Sequence, residues 1–182
     1  MKSRVFVFIL LFAVSALVGN EVIKQFTKEG GESKVANAAT IKHIPLTEFS
    51  LSDTNGKMQE FKQWGDKVRV LNFWATWCPP CLRETPMFVE LQAKYQAQGL
   101  QFIGVAIDSL EPVKDFMDTY GINYPILVGA EDAIDLSKKY GNKFGALPYS
   151  VVIDRNGTIV FVKSGEIKRE NLEPLLKSLL SS

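Results

Sequence analysis

Cys78-Pro79-Pro80-Cys81 carries both cysteines of a 182-residue chain. Two thiols three positions apart can close a disulfide on each other or exchange one with a partner. A disulfide framework would need more cysteines spread along the chain. A structural zinc site needs about four ligands, and the one histidine, His43, ends a polar stretch and reads as a surface residue. The spacing therefore points to redox chemistry carried by the pair itself, with no metal and no other cofactor.

The flanking residues place the pair. Val68 to Ala75 is an almost continuous apolar run, as a central buried strand requires. A helical pattern opens at Pro79-Pro80 and stops at Gly99. Cys78 thus falls on a strand-to-helix junction, where unsatisfied N–H groups and the helix dipole favour a thiolate. Pro79 disfavours helical backbone at Cys78, which suits an N-cap, and itself suits the first helical position. Cys81 lies one turn further in on the same face. The first sulfur is expected to be exposed and nucleophilic, the second sheltered. The prolines also remove two N–H donors and leave the Cys81 amide as the first in the turn. Thiolate stabilisation should then be modest and the couple reducing.

Other positions around the pair have candidate roles. Glu84 could take the proton of the sheltered thiol, or it could complement the helix dipole from the first turn. Trp77 reads as an exposed rim for partner contact, Trp74 as core packing. Leu147-Pro148 precedes a late strand, where a trans proline at the strand start and a cis bond are both open. Asn72 lies on the buried strand, six residues before Cys78.

The elements that must position these groups follow from period and turn chemistry. Phe49 and Leu51, the turn Asp53-Thr54-Asn55-Gly56-Lys57, and Met58 to Phe61 predict a β-hairpin. After the strand and helix around the cysteines come a buried strand over 100–107, a helix from Glu111 to about Tyr120, and a short strand over 125–128. A helix over about 133–140 follows, then strands over 151–154 and 159–162 joined by a two-residue Asn156-Gly157 turn, and a last helix over 168–180. Early alternation predicts parallel strands with helices on both faces, and the late hairpin adds antiparallel ones. The fold class is α/β, a mixed central sheet flanked by helices with an N-terminal β-hairpin.

Composition is that of a globular protein, 46% hydrophobic and 23% charged, and the net charge of +1 gives no footprint for nucleic acid. Lys2 and Arg4 precede an apolar run from Val5 to Val18. That is the pattern of a signal peptide or membrane anchor, although it falls short of the ~20 residues that span a bilayer comfortably. Both readings carry the rest of the chain across the membrane. The expected organisation is a signal peptide or anchor over 1–20, a linker over 21–44 and one domain over 45–182.

Asn72-Phe73-Trp74-Ala75-Thr76-Trp77-Cys78-Pro79-Pro80-Cys81, with Glu84 and Pro86, closely resembles the TlpA/ResA/CcmG-type thioredoxin-like proteins. The resemblance runs over about 45–180. It takes in Phe49, Leu51, Asp53 and Gly56-Lys57 of the hairpin, the Leu147-Pro148 pair, and Val152-Ile153-Asp154-Arg155-Asn156-Gly157. It implies a thioredoxin-like sandwich in which Cys78 attacks, Cys81 resolves, and Pro148 is a cis-proline beside them. It makes Glu84 a tuner of cysteine pKa, and it makes Trp77, Pro79, Leu147 and Pro148 the substrate-facing rim. Asn72 stands where thioredoxin has a buried aspartate, and an amide cannot act as a base. Tyr149 departs from the smaller or more polar residue of many relatives.

What the resemblance implies is an extracytoplasmic thiol–disulfide oxidoreductase, reducing disulfides of exported proteins, apocytochrome c among the candidates. Its expected partners are protein thiols and disulfides, a membrane electron donor for re-reduction and, through the N-terminal segment, the inner membrane. It is expected to be a monomer on the periplasmic side, anchored or released after signal cleavage. The alternatives are a peroxiredoxin-like thiol peroxidase, whose peroxidatic cysteine typically lies away from a C-x-x-C, and a non-enzymatic membrane-anchored binding module.

Overall fold

The computed structural model describes residues 44–181, and the predicted signal or anchor, His43 and nearly all of the predicted linker lie outside that range. The elements in order are β1 (Ser50–Asp53), β2 (Met58–Glu60), β3 (Val68–Trp74), α1 (Pro79–Tyr95), β4 (Leu100–Ala106) and α2 (Leu110–Tyr120). Then come β5 (Ile126–Val128), α3 (Ala130–Lys139), β6 (Tyr149–Ile153), β7 (Ile159–Ser164) and α4 (Arg169–Leu180). Among these residues no helix is long and apolar enough to cross a membrane.

The strands form one mixed sheet in the order β2-β1-β5-β4-β3-β6-β7. β3, β4 and β5 run parallel, and β6 and β7 are antiparallel to their neighbours, as the pattern predicted. The N-terminal hairpin joins the sheet through β1, which pairs antiparallel with β5. Sequence pattern did not reveal that pairing. β3 is buried along its whole length, so its alternation feeds two cores. Val68 and Val70 pack under α1 and α4 with Phe88, Leu91, Leu172 and Leu176. Leu71 and Phe73 face the other way, toward Ala133 and Leu136 of α3. Trp74 closes the first face at its upper end, packed at a tilt against Phe116 of α2 with ring centroids 4.5 Å apart. Gly104 makes room there, since a Cβ at 104 would stand 2.5 Å from Ile126 Cδ1 and 3.0 Å from Trp74 Nε1.

Three local expectations change. The second hairpin strand stops at Glu60, and Phe61–Trp64 forms a 3-10 turn that buries Phe61 and Trp64. α3 starts at Ala130, with Glu131 and Asp132 in its first turn. Acidic residues favour a helix N-terminus, and the apolar period alone missed them. The late hairpin lacks the expected two-residue turn. Asp154 Oδ1 accepts from the Asn156 and Thr158 amides, at 2.9 and 2.7 Å, and Gly157 takes the left-handed conformation at φ 81°. The first hairpin repeats this, with Asp53 Oδ1 accepting from Asn55 and Lys57 and Gly56 at φ 78°. In both loops the aspartate side chain caps the turn and widens it.

Candidate functional site

β3 ends at Trp74, and four residues carry the chain into α1. The Cys78 amide donates to the Ala75 carbonyl at 3.2 Å. Asp108, just after β4, holds the same turn from the side. Its Oδ2 accepts from the Thr76 amide at 3.1 Å and the Thr76 hydroxyl at 2.5 Å. Cys78 is the N-cap of α1, extended at φ −97° and ψ 100°, and the prolines occupy the first two helical positions. The expected geometry of the junction is therefore present.

Cys78 and Cys81 are joined in a disulfide, with Cα atoms 5.3 Å apart. The sequence predicted an exposed first sulfur, but Cys78 is only 4% exposed and Cys81 1%. The bond draws both side chains together over the first turn, against Trp74, Ala106, Val113 and Phe116, with Leu147 packed on the same cluster. The Cys81 amide, the first donor after the prolines, points at the Cys78 carbonyl at 3.0 Å, and the Leu82 amide joins it at 3.2 Å. The local donors thus already serve a backbone oxygen.

The tryptophans divide as the sequence suggested. Trp74 is buried, and Trp77 stands 67% exposed beside Cys78. The Leu147–Pro148 bond is cis, the alternative that the resemblance implied. The Pro148 carbonyl accepts from the Gly165 amide at 2.8 Å. The Leu147 amide and carbonyl make no hydrogen bond among the described residues.

Glu84 lies in the second turn of α1, so it is not a first-turn dipole partner. It is 2% exposed. Its Oε1 accepts from Asn72 Nδ2 at 2.9 Å, and its Oε2 accepts from the Ile167 amide at 2.9 Å. Asn72 Nδ2 also donates to Ser150 Oγ at 2.9 Å, across the register pair Asn72–Ser150 of β3 and β6. Burial pushes the Glu84 carboxyl up to about 8; the two hydrogen bonds and Lys168 oppose the shift and Glu166 adds to it. Cys81 lies three residues before Glu84, one turn away on the same helix. Ser150 and the Ile167 amide were missed from sequence. Ser150 was legible in principle, as a polar residue in the apolar run of β6 on the face that Asn72 shares. Among the described residues no group of three or more His, Cys, Asp or Glu could hold a metal ion.

Comparison with known proteins agrees with this geometry. The Redoxin family model matches residues 20–179. The chain is 33% identical over 182 residues to the thiol-disulfide oxidoreductase ResA of Bacillus thuringiensis (strain Al Hakam), covering 98% of each chain. It is 30% identical over 174 residues to ResA of Geobacillus thermodenitrificans (strain NG80-2), covering 94% of this chain and 92% of that one. Among solved structures, a thiol:disulfide interchange protein of the thioredoxin family from Chlorobium tepidum TLS superimposes with a TM-score of 0.68 and 32% identity. That match covers 75% of this chain and 95% of the other. The fold is thioredoxin-like.

Proposed function

The chain belongs to the Redoxin family, among the thiol-disulfide oxidoreductases of the ResA kind, and on that premise we propose that it reduces disulfides of exported proteins through Cys78. The observation that carries the reading is the Cys78–Cys81 disulfide at the N-terminus of α1, at the end of a central strand. The pair is the redox group, and no other cofactor enters the reaction.

In the reduced protein the Cys78 thiolate attacks one sulfur of a substrate disulfide. A Cys78–substrate mixed disulfide forms and the other substrate sulfur leaves as a thiolate. Glu84 takes the Cys81 proton, and the Cys81 thiolate attacks Sγ of Cys78. The Cys78–Cys81 bond closes and the second substrate sulfur leaves. The substrate gains two electrons and the pair loses two, so a donor must reduce the pair before the next turn. We assign that donor to the membrane. Lys2, Arg4 and the apolar run over 5–18 read as a signal or anchor that carries the domain out of the cytoplasm. Apocytochrome c is one candidate substrate.

The substrate segment is proposed to lie along Leu147 and Pro148, where the unpartnered Leu147 amide and carbonyl suit an extended chain. Trp77 and Pro79 form the other side of the rim. The reducing direction is supported by the prolines at the helix start and by the turning of the Cys81 amide to a carbonyl. A poorly stabilised thiolate disfavours the reduced state and makes the couple a better donor.

With Cys81→Ser, the mixed disulfide cannot resolve. Incubation with a disulfide-bearing exported protein should accumulate a covalent adduct through Cys78, seen by non-reducing electrophoresis and released by dithiothreitol. No adduct with any disulfide partner would overturn the exchange mechanism.

A further inference from the structure

The segment between β7 and α4 does more than connect them. Its Gly165 amide binds the Pro148 carbonyl at 2.8 Å, and its Ile167 amide binds Glu84 Oε2 at 2.9 Å. Two successive bonds therefore run from one short strap to the proline loop and to the buried carboxyl. Between them sits Glu166. Its Oε2 accepts from Arg83, at 2.8 Å to Nε and 2.7 Å to Nη2, and its Oε1 pairs with Lys168. Arg83 is the residue next to Glu84 on α1. The pairing thus clamps the strap to the helix that carries both cysteines.

We propose that Glu166 and Lys168 are positioning residues for Glu84, fixing the strap whose amide binds its carboxyl and setting how readily that carboxyl takes the Cys81 proton. The inference rests on the reading that Glu84 is the base. The charged and titratable groups that face Glu84 come from each element around it. Glu166 and Lys168 belong to the strap, Tyr124 precedes β5, and the cysteines and Arg83 share α1. Asn72 of β3 and Ser150 of β6 are neutral.

The two strap charges act on Glu84 with opposite sign. Glu166 disfavours its ionised form and Lys168 favours it. Arg83 and Lys168 keep Glu166 itself ionised. Loss of the Glu166 charge, with a glutamine oxygen still able to accept from Arg83, would remove a like charge and so ease ionisation of Glu84. Loss of Lys168 would remove an attracting charge and leave Glu166 less neutralised. Both of those changes hinder it.

The test uses the reduced protein and 5,5′-dithiobis(2-nitrobenzoate). The first thionitrobenzoate release reports attack by Cys78, and the second reports resolution by Cys81. The rate of the second release should rise with pH through a midpoint that belongs to the Glu84–Cys81 pair. Glu166→Gln should lower that midpoint, and Lys168→Gln should raise it, each by about half a unit or more. Glu166→Asp, which keeps the charge, should stay near the wild-type midpoint. A strap that is merely structural would move both neutral variants the same way or neither, and either result overturns the inference. Glu84→Gln separates the two layers. A midpoint unchanged in Glu84→Gln refutes Glu84 as the base. A midpoint that shifts in Glu84→Gln, to that of the Cys81 thiol alone, but is unmoved by the strap variants refutes only the role of Glu166 and Lys168.

Discussion

β3 carries or touches the two most deeply buried charge-bearing side chains of the domain, and they differ in kind. Near its start Arg69 is 1% exposed and turns to the α3 face, while near its end Asn72 turns to the α1 face and binds Glu84. Burial works against the charged form of both, lowering the Arg69 pKa and raising that of Glu84. The surroundings separate them. Glu84 has a donor on each oxygen. Arg69 has a long 3.4 Å bond to the Asp154 carbonyl, the Phe61 ring 5.0 Å away, and an Nε with no partner among the described residues. A guanidinium stays charged at any working pH, so Arg69 offers bulk and a fixed cation. A carboxyl that burial raises to about 8 can change charge near a working pH. Burial prepares a group for chemistry only when its shifted pKa falls near the working pH and an exchange partner is adjacent.

That contrast is most easily broken at Arg69, where the largest effect on stability is expected. Arg69→Ala leaves a cavity beside the Phe61 ring, at a cost of about 3 kcal/mol. Arg69→Met fills the volume of the stem and removes a poorly paired buried cation, so it should be close to neutral or stabilising. Urea unfolding of the oxidised protein measures both, and the exchange rate per folded molecule should be unchanged. If Met costs as much as Ala, the cation itself is needed, and Arg69 is more than filling.

Glu84 should give an effect of comparable size, with a pH signature that Arg69 lacks. Its folded pKa of about 8 lies above the ordinary value of 4.5. Between those values the folded protein holds more protons than the unfolded chain. Stability should therefore fall as pH rises from about 5 to 8, with a slope approaching about 1.4 kcal/mol per unit at most. Glu84→Gln should flatten that slope and slow the resolving step about tenfold or more. Urea midpoints at pH 5 and pH 8, in both proteins, decide the first point. A wild-type midpoint that does not fall with pH would place Glu84 in the ordinary carboxylate range.

Much of this is legible in the amino-acid sequence alone. The C-x-x-C spacing, the apolar run of β3 and the helix opening at Pro79 are local signals, and they placed the cysteines at the junction where the structure has them. Parallel and antiparallel pairing followed from element order. What was hidden depended on groups distant in sequence. Glu84 meets Ile167 across 83 positions, and nothing in either segment announces the other. The attachment of β1 to β5 likewise depends on how the sheet closes. The cover over Cys78 was missed for a related reason, because local spacing orients a sulfur but does not build the apolar wall that α2 supplies.

The smallest effect distinguishes the two tryptophans that flank the turn into α1. Trp74 is packed between α2 and the sheet, and Trp77 stands in solvent. An exposed side chain contributes little to folding, so Trp77→Ser should leave the urea midpoint within about 0.5 kcal/mol of wild type. An exposed aromatic beside a reactive pair can still contribute contact area to a partner. The rate with a disulfide-bearing protein should therefore fall severalfold, while the rate with 5,5′-dithiobis(2-nitrobenzoate), which is too small to use the rim, should hold. Equal losses with both substrates would mean that Trp77 shapes the cysteine turn itself, and the rim would then have to be built from Leu147 and Pro148 alone.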